Sequence, residues 1–252
     1  MDAVTGAWEW LADGANWTGP DGAWTRLLEH LYLSGVSLAA ACALALPLAI
    51  WLGHLGRGGA LAVNVANIGR AVPTFAVLSL LYVTPLRTAG ELPVVIALVL
   101  FAIPPLMANA YVGMREADRD VVDAARGMGM SGGQRLLRVE LPLAFPLIIT
   151  GVRSAAVQVV ATATLAAIPG GGGLGRIITA GFRTYDTPKV VAGALLVAAL
   201  ALLVEGSLVA VQRLLDPMRR RTRPRARRAA DLPGSAGPVR ASQADTLVRT
   251  AD

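Results

Sequence analysis

Two stretches of this 252-residue chain, Leu31–Leu52 and Leu92–Val112, carry no charged side chain at all. A bilayer core about 30 Å thick takes roughly 20 mostly apolar residues per helix, and each stretch is long enough to cross it. Two further runs cross with one charge apiece: 143–168, interrupted by Arg153, and 190–211, interrupted by Glu205. A fifth span is expected at about 63–86. Its uncharged part, Ala71–Leu86, is short and must borrow from Ala60–Gly69, which contains Asn64 and Asn67. The fold class expected is an all-α, polytopic membrane protein of about five transmembrane helices, with six as the upper count.

Composition agrees, because 54% hydrophobic and 16% charged residues leave too little polarity for an ordinary soluble domain. The lone Cys42 lies in an apolar run and reads as a packing residue, so neither a disulfide framework nor a cysteine metal site is expected. His30 and His54 flank the first span at opposite ends, too far apart to share a metal. Prolines 47, 73, 104, 105 and 146 fall inside spans. Each removes a backbone donor and favours a kink, as bent helices around a pathway would.

Arginine and lysine next to the spans set the orientation. Arg115, Arg119, Arg126, Arg135 and Arg138 lie between the third and fourth spans, and eight arginines fall between Arg213 and Arg228. Both regions are therefore expected in the cytoplasm. With five spans the amino terminus lies outside, in keeping with its acidic Asp2, Glu9, Asp13 and Asp21. Residues 1–26 form a Trp-rich external segment without the basic n-region or apolar h-region of a signal peptide. Its Trp8, Trp10 and Trp17, with Trp24, read as interface anchors. Residues 216–252 read as a basic anchor to anionic lipid followed by a disordered tail. Nothing resembling a nucleic-acid reading element accompanies those arginines, so no nucleic-acid partner is expected.

The segment 115–142 is too polar for the bilayer and too patterned for a slack connection. Val121, Val122, Ala125 and Met128 are expected on one helix face. Gly127 and Gly129 permit a tight bend, and Ser131 with Gln134 forms a capping box that opens a second helix, closed by Leu141 and Pro142. The apolar stripe fits a groove on a partner protein, or packs on the chain itself or on headgroups.

Asp123, Ala124 and Ala125, then Gly129, then Val139, Leu141 and Pro142 resemble the cytoplasmic signature of ABC importer permeases: EAA, three residues, Gly, nine residues, Ile-x-Leu-Pro. Asp replaces Glu and Val replaces Ile. The resemblance implies a bacterial cytoplasmic-membrane permease whose coupling helices, including Gly127 and Met128, sit in a cleft of a separate ABC ATPase. Paired with a second permease copy or a paralogue, they would move as rigid bodies when the ATPases close on ATP. From about Gly69 to Phe182 the chain also resembles permeases for glycine betaine, choline, carnitine or proline, through GRAVPTFAVLSLL, GVRSAAVQVVATATLAAI and GGLGRIITAGF. An external substrate-binding protein is implied as a further partner. One departure is Ile168-Pro169-Gly170 where the family has Val-Gly. The alternatives are a permease for an amino acid such as methionine and, more remotely, a self-contained channel or secondary transporter.

No GxxxxGK[ST] run occurs, so ATP and magnesium are expected on the partner, with no cofactor on this chain and no enzymatic activity. Gly170–Gly175 spells GxGxxG without the strand-turn-helix setting and reads as a flexible outer loop or gate. Arg153 and Gln158 are the candidates for lining the substrate pathway, although Arg153 equally suits snorkelling or a backbone carbonyl. Glu205 is expected to pair across helices.

Overall fold

A computed structural model describes residues 2–215 of the chain; the basic tail expected at 216–252 lies outside the described residues. The order is α1 (Ala3–Ala12), a 3₁₀ turn (Gly14–Trp17), α2 (Ala23–His54), α3 (Gly59–Ala71), α4 (Thr74–Val83) and α5 (Leu92–Arg115). There follow α6 (Arg119–Gly127), α7 (Gly132–Arg135), a π-helical turn (Leu136–Glu140), α8 (Leu141–Ala163), α9 (Gly175–Thr184) and α10 (Thr187–Leu215). No strand occurs among the described residues.

Among the described residues, four helical stretches are long and apolar enough to cross a membrane: Ala23–His54, Leu92–Arg115, Gly132–Ala167 and Thr187–Leu214. The fifth span, expected at 63–86, is a broken pair, α3 and α4, bent by 79°. The break falls at Val72-Pro73, where proline has no N–H and pushes the residue before it out of the α region; Val72 is extended at φ −82°, ψ 118°. Pro47, Pro104, Pro105 and Pro146 instead lie within continuous helices.

The core is built by α2, α5 and α8. Along α2 the residues Ser37, Ala41, Ala45, Ala49 and Gly53 recur every fourth position and are all buried. Ala41, Ala45 and Ala49 share one cluster with Leu98, Ala102, Leu106, Ala110 and Met114 of α5 and Ala144, Ile148, Ala155 and Val159 of α8. Lipid tails are as apolar as leucine, so such association rests on close backbone approach and dispersion, which small residues permit.

A second cluster lies at the opposite end of α8 from the 115–142 loop. There Ala23, Val160, Leu174, Ile177 and Leu200 meet, with Trp10 and Trp17 packed against them. Trp10 and Trp17, expected as interface anchors, are half-buried and pack against this cluster. Trp17 donates Nε1–H to the Leu11 carbonyl at 2.8 Å and lies 5.2 Å from Trp24, centroid to centroid. Trp8 and Trp24 alone of the four remain exposed. A helix at the amino-terminal segment was not signalled in the sequence, because α1 is polar-interrupted and gains its burial, at Gly6 and Ala7, from the fold.

The run Gly170–Gly175, expected as a flexible outer loop or gate, is tied to α2: Gly173 N–H donates to Glu29 Oε2 at 2.8 Å and Leu174 N–H to His30 Nδ1 at 3.3 Å. His30, fully buried, uses Nε2 toward the Val160 carbonyl at 2.9 Å, so Nε2 carries the proton and Nδ1 accepts.

Candidate functional site

The loop between α5 and α8 is assembled from local capping chemistry. Asp118 caps α6, accepting from Asp120 N–H at 3.0 Å and Val121 N–H at 3.5 Å. At the other end Met130 N–H reaches the Ala125 carbonyl at 3.2 Å and Gly129 N–H the Arg126 carbonyl at 3.0 Å. Those are the 6→1 and 5→2 bonds of a Schellman motif, which requires a left-handed residue. Gly129 supplies it at φ +80°. Gly127, expected to share in the bend, stays in the last turn of α6. Ser131 then opens α7 with both halves of the capping box: Gln134 N–H to Ser131 Oγ at 3.4 Å and Ser131 N–H to Gln134 Oε1 at 2.9 Å.

The single apolar face expected on α6 is split. Val122 and Ala125 are buried, whereas Val121 and Met128 are exposed, Met128 by 77%. Asp123 and Ala124 are exposed too. The loop therefore packs one apolar edge on itself and presents Val121, Ala124 and Met128 outward. Leu137 in the π turn adds a further exposed apolar side chain.

Leu141 and Pro142 do not close the second loop helix. Helical structure runs unbroken from Gly132 to Ala167. The π turn absorbs the proline: Leu141 N–H bonds to the Leu136 carbonyl, five residues back, as the register changes just before Pro142. Val139, Leu141 and Pro142 are partly buried at the base of this continuous helix.

Glu140 was not among the residues singled out from sequence, yet both of its carboxylate oxygens are held by side chains. Only 5% exposed, it accepts from Arg135 Nε at 2.8 Å on Oε1 and lies 2.5 Å from His54 Nδ1 through Oε2. Its signal is phase. Glu140 stands four and eight residues before Ala144 and Ile148, both on the buried face of α8. A carboxylate on that face requires partners.

Within the spans, α8 carries a polar edge of Thr150, Ser154 and Gln158. A cavity of 250 Å³ lies against Gly69, Pro104, Pro105, Asn109, Ser154 and Gln158. Another of 390 Å³ lies against Thr150, Arg153, Ser154, Gln158 and Glu205. Ser154 and Gln158 belong to both. Arg153 pairs with Glu205 through Nη2 and donates Nη1–H to Gln212 Oε1 at 2.9 Å, joining α8 to α10. Glu205 does pair across helices, and Arg153 is held by side chains rather than by a backbone carbonyl. Asn109 and Thr150 return their polar groups to the carbonyls of Pro105 and Pro146, each at 2.8 Å.

Comparison with known proteins places these features. A family model described as binding-protein-dependent transport system inner membrane component matches residues 45–221. Over 189 residues the chain is 31% identical to the glycine betaine/carnitine/choline transport system permease protein OpuCB of Bacillus subtilis (strain 168), covering 75% of this chain and 86% of that one. It is 34% identical over 189 residues to the carnitine transport permease protein OpuCB of Listeria monocytogenes, with the same 75% and 86% coverage. Among solved structures, the inward-facing MetNI methionine ABC transporter matches with a TM-score of 0.67 at 21% identity, over 76% of this chain and 95% of that one, a likeness of fold. The chain thus belongs to the family of binding-protein-dependent transport system inner membrane components and is a multi-pass permease subunit of an ABC importer.

Proposed function

We propose that this permease carries a quaternary-ammonium or related osmoprotectant, of the class of glycine betaine, choline, carnitine or proline, into the cell. The observation that carries the reading is identity above 30% across three quarters of the chain to permeases named for glycine betaine, carnitine and choline. The methionine transporter shares the fold at 21% identity, which does not extend to cargo.

Two ATPase subunits, a second permease copy or paralogue, and an external binding protein complete the machine in this reading. Asp123, Ala124, Ala125, Gly127, Met128, Gly129, Val139, Leu141 and Pro142 form the ATPase-coupling segment, with Val121 and Met128 as the apolar contacts offered to the partner cleft. ATP and magnesium act on the partner, and this chain performs no catalysis. Arg153 and Gln158 border the pathway, where the polar edge of α8 would otherwise be costly in lipid. The amino terminus faces outward and the 115–142 loop faces the cytoplasm.

Uptake of labelled glycine betaine, choline and methionine in a strain deleted for this gene tests the cargo. Loss of glycine betaine or choline uptake, restored by the gene in trans, is expected. Loss of methionine uptake alone overturns it.

A further inference from the structure

We propose that Glu140, held between His54 and Arg135, is the joint that makes α2 move with the coupling segment, so that these three are positioning residues for coupling ATP turnover to transport. This rests on the reading of 115–142 as the coupling segment.

The geometry starts from a weak point. A rigid displacement delivered to α6 and α7 reaches α5 through the short link Glu116–Asp118 and α8 through Leu136–Glu140, and the latter stretch is a π turn. Such turns are rare inside α-helices and recur at functional positions. Left alone, the turn could absorb the displacement by reverting to α-helical register. Glu140, its last residue, opposes this by bonding in two directions at once. Oε1 is tied back to Arg135 of α7, across the turn itself, at 2.8 Å. Oε2 is tied sideways to His54, the last residue of α2, at 2.5 Å.

The end of α2 is in turn seated on α5. A Cβ on Gly53 would lie 2.4 Å from Met114 Cβ, so the two backbones are as close there as glycine allows. The three core helices thus meet at their loop ends: α8 through Glu140, α2 through His54, α5 through Met114. Breaking the bond to His54 would leave the core packing above in place and remove the polar connection between the loop and α2.

The cluster is also well placed to hold under load. Side-chain exposure is 15% at His54, 19% at Arg135 and 7% at Glu140, so water competes little for these bonds. Both carboxylate oxygens are engaged, and a charge-assisted pair of this kind is shorter and stronger than a neutral hydrogen bond.

The test uses the complete transporter in proteoliposomes with its ATPase and binding protein, reading substrate transported per ATP hydrolysed. His54→Leu removes the donor from outside the coupling segment. The expected result is ATPase subunits recovered at wild-type stoichiometry with transport per ATP lowered at least about fivefold. His54→Gln, whose amide can still donate to Glu140, should retain most of the wild-type ratio. Glu140→Gln should fall with His54→Leu, and the double variant should be no worse than either alone. A ratio unchanged in His54→Leu and Glu140→Gln overturns the proposal. So does a parallel fall of ATPase recovery and transport at constant ratio, which would mark the cluster as only structural. If the coupling-segment reading itself is wrong, Gly129→Val will leave ATPase recovery unchanged, an outcome separate from any behaviour of His54.

Discussion

At the scale of single residues, Gly129 carries the sharpest constraint in the loop. Its φ of +80° lies where an L side chain meets the following carbonyl, at a cost of roughly 1–2 kcal/mol. Nothing lies within 4 Å of where a Cβ would stand, so the strain is purely conformational. Gly129→Val should therefore leave the spans folded and the protein at normal membrane levels while the α6–α7 bend opens. A cost of about 1–2 kcal/mol corresponds to roughly a five- to thirtyfold loss, here of ATPase recovered on affinity purification. Gly129→Asn, which tolerates the left-handed region, should recover most of it. Equal recovery for Gly, Asn and Val would remove the bend from the coupling mechanism.

The position of Glu140 in phase with Ala144 and Ile148 was readable in the sequence. Its partners were not, since His54 lies 86 residues away on another helix. The same holds for Arg153, whose intramembrane charge is plain from composition but whose partners Glu205 and Gln212 emerge only once α8 and α10 lie side by side.

At the scale of elements, α2 shows how much of the packing depends on smallness. Ala41, Ala45 and Ala49 are at most 2% exposed and form the stripe against which α5 lies. Ala49→Leu inserts three carbons where the helices already touch, and overpacking of this kind costs about 1–3 kcal/mol. Its neighbour Leu48, off the buried stripe, is 42% exposed, and Leu48→Ala should lie within about 0.5 kcal/mol of wild type. Thermal unfolding in detergent distinguishes the two, and similar midpoints for both variants would show that α2 is not packed through its alanine stripe.

The spans themselves were legible wherever charge was absent over a bilayer's width, as in α2 and α5. The second span was legible as a site of trouble, short and containing Asn64, Asn67 and Pro73. The 79° bend between α3 and α4 could not be read from it, because a proline in a span is compatible with a continuous helix or a break, and packing against neighbours decides which. The α7–α8 boundary erred the other way: Pro142 reads as a stop, and a π turn carries the helix past it.

For the whole molecule, charge asymmetry makes a prediction about sidedness. Five arginines in the 115–142 loop and eight between 213 and 228 stand against the acidic residues ahead of α2. Alkaline phosphatase joined at the amino terminus should be active, and a fluorescent protein joined after Asp252 should fluoresce. The reverse pattern would invert the molecule and place the loop out of reach of any ATPase.

The sequence by itself determined that the chain is helical, that it crosses a membrane about five times and that a patterned polar segment links two of the spans. Those properties follow from quantities that add along the chain: hydropathy summed over a bilayer's width, charge counted beside it, and capping residues at fixed local offsets. The tertiary structure alone decided which polar groups meet. It set Glu140 against His54, Arg153 against Glu205 and the Gly173 amide on Glu29, and it turned Trp10 and Trp17 inward. In lipid, packing between helices depends on backbone approach within tenths of an ångström, and no property summed along a single strand of sequence records that distance.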